Sequence, residues 1–218
     1  MNYLLSYPRT GNSFVRYAIE FVSKKPTYDY GKNINDQYDT DIRYNLSTNS
    51  GSFIIRKEHF VVDIPDKPEK IILLVRDFKD VFISHNFRYE KFDNDKILEN
   101  FKVSIDSFWK DYYELLYFYD IFPDDKLLVY YDDIFETEKS LIEIFKFLDI
   151  TDYNEFVDNF EYHKEYFFEK YKEKEGSKSE GFSNLCNIFT SSQVSYMNDY
   201  FRRGNIQLFD KYLKRFTL

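Results

Sequence analysis

The sequence predicts an α/β domain with three layers, in which a central, mostly parallel sheet is flanked by helices. Short apolar runs alternate along the chain with longer segments whose apolar residues recur at helical spacing. Two of the runs, 71–75 and 127–129, are apolar without alternation. Such runs are typical of strands that are buried on both faces of a parallel sheet.

Each element follows from a local pattern. The strand candidates are the apolar, β-prone segments 3–6, 52–56, 70–75 and 127–131. The helix candidates, which lie between or after them, are 14–23, 78–88, 97–119, 138–148, 152–160 and 191–203. Residues 24–50 and 161–182 lack a clear period. We expect each to be either a cover over an acceptor site or an ordinary connection.

Length and composition limit the number of domains, the binding partners and the cellular location that we expect. At 218 residues, the chain predicts a single domain over 1–218. The net charge of −8 and the pI near 5.0 argue against binding to nucleic acid. No apolar run approaches the roughly 18 residues of a membrane-spanning helix, so membrane insertion is not expected. One cysteine, and a first strand too early to leave room for a signal peptide, predict a cytoplasmic location.

The most informative segment joins the first strand candidate to the first helix candidate. Residues 7–13 form a turn that bends at a proline and at Gly11, and helical spacing begins at Phe14. A strand, a loop of small residues and a helix N-terminus bring backbone N–H groups toward an anion. A Walker A loop is excluded, because no lysine follows Gly11 and the nearby cation, Arg9, precedes it. The segment therefore predicts a phosphate site of another kind.

A second anion-binding pattern follows the third strand candidate. That strand delivers Arg76 at its carboxyl end, and Ser84 lies about two turns along the helix that begins there. A guanidinium group presents a fork of donors that matches phosphate oxygens. Arg76 and Ser84 would thus hold one phosphate from two sides. The alternative for Arg76 is a plain salt bridge with an aspartate.

Histidine is rare, with three residues in the chain. His59 lies between the two phosphate patterns, after Lys57 and Glu58. An imidazole has a pKa suited to accepting a proton near neutral pH. His59 is therefore the candidate general base, with a structural histidine as the alternative. We expect His85 to lie near the site and His163, in a charged segment, to lie on the surface.

These motifs resemble those of sulfotransferases that use 3′-phosphoadenosine 5′-phosphosulfate (PAPS). The loop after the first strand is similar to the family's P-K-S-G-T-T-W, with Arg9 at the lysine position. The second pattern is similar to R-D-P-K-D-V with a serine eight residues after the arginine. Residues 57–59 stand at the positions of K-T-H, with Glu58 in place of threonine. The strand that ends at Tyr131 resembles one that ends in Y-E-D-L. In this sequence the first motif reads Pro8-Arg9-Thr10-Gly11-Asn12-Ser13-Phe14, and Phe78 replaces the proline of the second.

The resemblance implies a P-loop-like fold and specific roles. In the family, the first loop holds the 5′-phosphosulfate, its aromatic residue packs on the adenine, and the arginine and serine of the second motif bind the 3′-phosphate. The C-terminal motif R-K-G-x-x-G-x-W-K-N-x-F-T is matched only at its end, and counting back places Lys178 at its arginine. The implied nucleotide-binding residues are Arg9, Thr10, Gly11, Asn12, Ser13, Phe14, Arg76, Ser84, Tyr131 and Lys178. The implied catalytic residues are His59, Arg9 and Lys57.

The implied reaction moves a sulfuryl group from PAPS to a hydroxyl or amine of a small-molecule or carbohydrate acceptor. No metal is demanded, because a sulfuryl group carries less negative charge than a terminal phosphoryl group. One alternative is a P-loop nucleotide kinase or NTPase, against which the missing G-K-[ST] counts. Another is a catalytically silent nucleotide-binding relative, which Glu58 and the incomplete C-terminal motif favour and Arg9 and His59 disfavour. The sequence leaves the acceptor's identity and the oligomeric state open.

Overall fold

The computed structural model describes residues 1–29, 32–42, 53–64, 67–86, 94–175 and 189–217. Its strands are β1 (Tyr3–Ser6), β2 (Arg56–Glu58), β3 (Lys70–Val75) and β4 (Asp125–Tyr130). Its helices are α1 (Asn12–Ser23), α2 (Ile34–Tyr38), α3 (Phe78–Asn86), α4 (Asn94–Ile121), α5 (Tyr131–Glu136), α6 (Lys139–Phe147), α7 (Asn154–Asp158), α8 (Phe160–Glu175), α9 (Ser191–Gly204) and α10 (Ile206–Leu208). A π-helical turn (Phe209–Leu213) and a 3₁₀ turn (Lys214–Thr217) follow α10.

The four strands form one parallel sheet in the order β2-β1-β3-β4. In its register, Leu5 of β1 pairs with Leu73 of β3, which pairs in turn with Leu128 of β4. The chain passes from β1 to β2 on one side and later enters β3 on the other side. The loop after β1 therefore lies where the strand order reverses, which is where open α/β sheets bind ligands. The predicted α/β fold with a parallel sheet flanked by helices is confirmed.

The sheet separates two hydrophobic cores, because alternate residues of a strand point to opposite faces. Leu5 and Leu73 belong to the core that includes side chains of α3, α4 and α9. Leu4 and Leu74 belong to the core that includes side chains of α1, α6 and α8. Burial on both faces explains why the runs in β1 and β3 lack alternation, and the predicted bounds of these two strands are correct.

The other two strands begin and end at different residues than predicted. The second strand, predicted at 52–56, is Arg56–Glu58, and the fourth, predicted at 127–131, ends before Tyr131, which begins α5. All three residues of β2 carry charges, which apolar periodicity does not detect. These charges are tolerated because they are paired, Lys57 with Asp29 and Arg56 with Glu58.

Two buried charged residues of α1 fix the segment that follows this helix. Arg16, which is 0% exposed, donates to Thr27 Oγ1 at 2.7 Å and to Asp29 Oδ2 at 2.8 Å. The carboxylate of Glu20, also 0% exposed, accepts from the amides of Thr27 at 2.9 Å and Ile34 at 3.0 Å. Because buried charges are costly unless they are paired, this network holds Thr27, Asp29 and Ile34 firmly against α1.

The segment 161–182, which lacked a clear period, forms helix α8 as far as Glu175. His163 of this helix was predicted to lie on the surface, and that prediction is wrong. The residue is 4% exposed, its ring stacks on Phe156 at 4.5 Å between centroids, and Nδ1 lies 2.9 Å from the hydroxyl of Tyr17. The charged residues on either side of His163 in the sequence predicted that it would be exposed, whereas in the helix its side chain faces the core.

The buried His163 should make the protein sensitive to acid. Burial lowers its pKa to about 4, whereas an unfolded histidine titrates near 6.5. Between these values the unfolded chain binds the extra proton, so stability falls as the pH falls from about 7 to about 4. This residue alone is expected to lower the free energy of unfolding by on the order of 2 kcal/mol between pH 7.5 and 5.

Urea unfolding at those two pH values tests the expectation. In His163→Phe, which keeps an aromatic ring on Phe156, the loss of stability on acidification should be smaller by about that amount. Tyr17→Phe is the control: it removes the hydroxyl that contacts Nδ1 but keeps the buried imidazole, so most of the acid sensitivity of the wild type should remain. An unchanged pH dependence in His163→Phe would show that this histidine is not the acid-sensitive group.

Candidate active site

A predicted site residue follows the carboxyl end of each strand of the sheet. The loop after β1 carries Arg9, β2 is followed by His59, β3 by Arg76, and β4 by Tyr131. Because the strands are parallel, these ends meet at the same edge of the sheet. Residues that are far apart in the chain are thereby gathered into one region.

The loop after β1 has two residues in the left-handed region of backbone conformation, Arg9 with φ of 75° and Gly11 with φ of 83°. A Cβ atom on Gly11 would lie 2.8 Å from Cδ2 of Tyr131. Glycine is therefore required here both by its backbone conformation and by the close approach of the tyrosine ring. Thr10, which is fully buried, donates its hydroxyl to the carbonyl oxygen of Tyr7 at 2.8 Å and so braces the turn.

Helix α1 starts at Asn12, directly after this loop. The amides of Phe14 and Val15 both donate to the carbonyl oxygen of Gly11, at 3.2 and 3.3 Å. Among the hydrogen bonds of the described residues, none comes from the amides of Asn12 or Ser13. Unpaired N–H groups at a helix N-terminus, together with the helix dipole, favour an anion.

Side chains of the two predicted phosphate motifs are in direct contact. Arg9 Nε donates to Ser84 Oγ at 3.0 Å, and Arg76 Nη1 donates to the backbone oxygen of Arg9 at 3.0 Å. Arg9 Nη1 also donates to the hydroxyl of Tyr171 on α8 at 2.9 Å. Two guanidinium groups and two hydroxyl groups are thus collected at the ends of β1 and β3. Such a cluster of donors is suited to the oxygens of a phosphate or sulfate.

Arg76 is 6% exposed and is held on several sides. Its guanidinium carbon lies 4.1 Å from the ring centroid of Tyr131, and Nη2 lies 3.5 Å from Asp80 Oδ2. The salt bridge that was the alternative for Arg76 is therefore present, but it uses only one nitrogen. Within the described residues, the buried Nε has no hydrogen-bond partner. Buried donors are rarely left unpaired, so this nitrogen can serve a ligand oxygen.

His59 is held through one ring nitrogen and is neutral near pH 7. Its Nδ1 lies 2.6 Å from the carbonyl oxygen of Ser6, which can only accept a hydrogen bond, so Nδ1 carries the proton. Nε2 is left as the atom that can accept one. Burial, reinforced by the charge of Lys57, lowers the pKa of His59 to about 4, so the ring is neutral at pH 7.

Lys57 and Glu58 lie on opposite faces of β2. Lys57, which is 6% exposed, donates from Nζ to Asp29 Oδ1 at 2.9 Å, and burial lowers its pKa. Glu58 forms an ion pair with Arg56 on the other face. The glutamate at the family's threonine position is therefore engaged away from Lys57. Asp29, the partner of Lys57, was not among the predicted site residues.

Phe14, predicted to pack on an adenine, lies in the core beneath α8. It is 2% exposed, and its ring stacks on Phe135 at 5.1 Å and on Phe168 at 6.0 Å between centroids. A base could reach the ring only if one of these neighbours moved, and the role stays a prediction. Ser13 likewise uses its hydroxyl within the protein, 3.1 Å from that of Tyr38.

Tyr171, whose hydroxyl contacts Arg9, was not among the predicted site residues. A signal for it was present: Phe160, His163, Phe167 and Tyr171 are three to four residues apart, the spacing of one helix face. The high density of charges between them concealed that face.

Some predicted features lie outside the described residues. They are Lys178 and, in the two predicted cover segments, residues 30–31, 43–50 and 176–182. In the part of the chain that the structure describes, no group of three or more His, Cys, Asp or Glu side chains could hold a metal ion. No helix of that part is long and apolar enough to cross a membrane.

Comparison with known proteins gives a family match over nearly the whole chain. A family model described as "Sulfotransferase domain" matches residues 4–216. The match therefore includes β2, β3, β4, all of β1 except Tyr3, and both predicted phosphate motifs. Among curated proteins, no sequence matches this chain.

Proposed function

We propose that this chain, which belongs to the sulfotransferase domain family, transfers the sulfuryl group of PAPS to a hydroxyl or amine of a small-molecule or carbohydrate acceptor. The observation that carries the proposal is the direct contact between the two phosphate motifs. Arg9, Ser84 and Arg76 are joined by hydrogen bonds of 3.0 Å, although they come from different strands and helices. A ligand with anionic groups at two ends fits such a cluster better than one with a single phosphate.

In this proposal, PAPS binds across the carboxyl ends of β1 and β3. Its 5′-phosphosulfate would lie against the N-terminus of α1 and the loop that carries Arg9. Its 3′-phosphate would accept from Arg76 and Ser84. The backbone of Arg9 is part of the loop at the 5′-phosphosulfate. Its side chain reaches the 3′-phosphate position through the hydrogen bond to Ser84. Binding would replace the contacts of Arg9 with Ser84 and Tyr171 by contacts with ligand oxygens.

The chemistry is an in-line displacement at sulfur. The acceptor oxygen or nitrogen forms a bond to sulfur while the bond from sulfur to the bridging phosphate oxygen breaks. The acceptor's proton passes to Nε2 of His59, and the electron pair leaves with adenosine 3′,5′-bisphosphate. Arg9 would stabilise the charge that grows on the bridging oxygen, and Lys57 would assist. Catalysis would come mainly from positioning and preorganised charge.

The affinity for two nucleotides tests the proposed donor. Adenosine 3′,5′-bisphosphate should bind about 10- to 150-fold more tightly than AMP, because hydrogen bonds to a charged group are worth about 1.5–3 kcal/mol. Titration calorimetry measures both affinities. Ser84→Ala should weaken binding of the bisphosphate and leave that of AMP unchanged. Equal affinities in the wild type would contradict a 3′-phosphate site.

A turnover assay separates this proposal from nucleotide kinase chemistry. PAPS is offered with pooled hydroxylated acceptors, and sulfated products are detected by mass. Activity that is unchanged in excess EDTA, with no consumption of ATP and Mg²⁺, is the expected result. Loss of activity on chelation, restored by Mg²⁺, would favour a kinase or NTPase instead.

A further inference from the structure

A histidine flanks the carboxyl end of β1 on each side. His59, after β2, contacts the carbonyl oxygen of Ser6. His85 lies on α3, which follows β3, and its ring meets that of Tyr7 edge-on, with 5.7 Å between centroids and 70° between planes. Ser6 and Tyr7 are consecutive, and β1 lies between β2 and β3 in the sheet. The two imidazoles therefore stand on opposite sides of the same short stretch of chain.

His85 differs from the other two histidines in its surroundings. His59 bonds to Ser6 and His163 is buried, whereas His85 is exposed, and within the described residues its ring nitrogens make no hydrogen bond. Burial of part of the ring, and then the charge of Arg9, lower the pKa of His85. A neutral imidazole carries one donor and one acceptor, so His85 offers both to a ligand beside the proposed base.

Helix geometry separates His85 from its neighbour in the sequence. Successive residues of an α-helix point about 100° apart. Ser84 faces Arg9 and the proposed nucleotide position, and His85 faces Tyr7. The end of α3 would therefore contribute to two different binding positions with two consecutive side chains.

We propose that His85 binds the acceptor, contacting it next to the group that His59 deprotonates, and so helps to determine which acceptors are used. This rests on the proposed sulfuryl transfer. His59 and His85 would form two walls of the acceptor position, with β1 between them. The alternative is that His85 only packs against Tyr7.

Paired variants separate acceptor binding from nucleotide binding. With 4-nitrophenol as acceptor, His85→Ala should raise the acceptor KM by about 10-fold, which is the loss of one or two hydrogen bonds. It should leave the affinity for adenosine 3′,5′-bisphosphate unchanged. Ser84→Ala should weaken binding of the bisphosphate and leave the acceptor KM unchanged. His85→Gln, which keeps a donor and an acceptor, should restore part of the affinity for the acceptor, whereas a packing role would not predict this recovery.

Histidine NMR gives a readout that needs no turnover. The enzyme is saturated with adenosine 3′,5′-bisphosphate, and 4-nitrophenol or methyl β-D-glucopyranoside is then added. The ring signals of His59 and His85 should shift, while that of the buried His163 should stay fixed. The inference is overturned if His59 shifts alone, if neither probe shifts either signal, or if His85→Ala leaves the KM unchanged. If the bisphosphate itself does not bind, it is the proposed function that fails.

Discussion

Replacing His59 by alanine is expected to lower turnover by about 10²–10⁴-fold, the usual contribution of a general base. Its affinity for adenosine 3′,5′-bisphosphate should remain close to that of the wild type. The reason is positional: His59 follows β2 and bonds to Ser6, whereas the cluster of Arg9, Ser84 and Arg76 lies at the ends of β1 and β3. Steady-state kinetics and titration calorimetry measure the two quantities separately.

A second substitution separates the role of His59 as a general base from the structural role of its ring. In His59→Asn, the side-chain amide nitrogen can occupy the place of Nδ1 and still donate to the carbonyl oxygen of Ser6. No atom then replaces Nε2, so turnover should be as low as in His59→Ala, with the fold intact. Near-normal turnover in either variant would show that His59 is not the base. Loss of nucleotide binding would show that it belongs to the nucleotide position.

The pH profile gives a third readout with a defined sign. The base must be unprotonated, so activity is retained above the pKa of His59 and is lost as the pH falls through it. That pKa is about 4 in the protein without ligand, and burial is the main cause. The profile of kcat/KM for PAPS should therefore be flat from neutral pH to about 5. Since the lowered pKa values of His163 and of His59 itself are expected to make the fold acid-sensitive over part of this range, activity must recover fully when each sample is returned to pH 7.

The sequence predicted the parallel sheet because 71–75 and 127–129, which lie in β3 and β4, are continuous apolar runs, and a strand buried on both faces requires such a run. It misplaced β2 for the opposite reason. The ladder residues Arg56, Lys57 and Glu58 are charged, and what stabilises them there is pairing within the fold, including that of Lys57 with Asp29. A pairing between residues 28 apart is not visible as a local period.

The site was predictable to the extent that its residues lie in the short motifs that follow strands. Arg9, Arg76 and Ser84 belong to such motifs, and the structure brings them into contact. Tyr171 belongs to a helix face that the surrounding charges concealed, and Asp29 lies in a segment without a clear period, so their contacts with the site emerge only from the fold. The position of Phe14 beneath α8 is also a tertiary effect, because its burial depends on rings from α5 and α8.

Replacing Arg76 by alanine should remove most of the preference for adenosine 3′,5′-bisphosphate over AMP. Arg76 is buried, and its Nε has no hydrogen-bond partner among the described residues. If that nitrogen serves the 3′-phosphate, its loss should weaken binding of the bisphosphate by about 10- to 150-fold, while AMP, which lacks this phosphate, should bind as before. The preference of Arg76→Lys for the bisphosphate over AMP should lie between those of the wild type and of Arg76→Ala, because an ammonium keeps the charge but not the planar fork.

The matched control is Arg215, which is also an arginine over a tyrosine. Its guanidinium carbon lies 4.1 Å from the ring centroid of Tyr130, the same distance that separates Arg76 from the ring of Tyr131. Arg215 is paired with Asp133 and forms no contact with Arg9 or Ser84 in the described structure. Arg215→Ala therefore removes a cation–π contact of the same distance, at an exposed site, and should leave both nucleotide affinities unchanged. If Arg76→Ala preserves the ratio of the two affinities, the 3′-phosphate does not bind at Arg76. If both affinities fall equally in Arg76→Ala, its main role is to hold the backbone of Arg9, and the nucleotide position must be assigned again from the loop after β1.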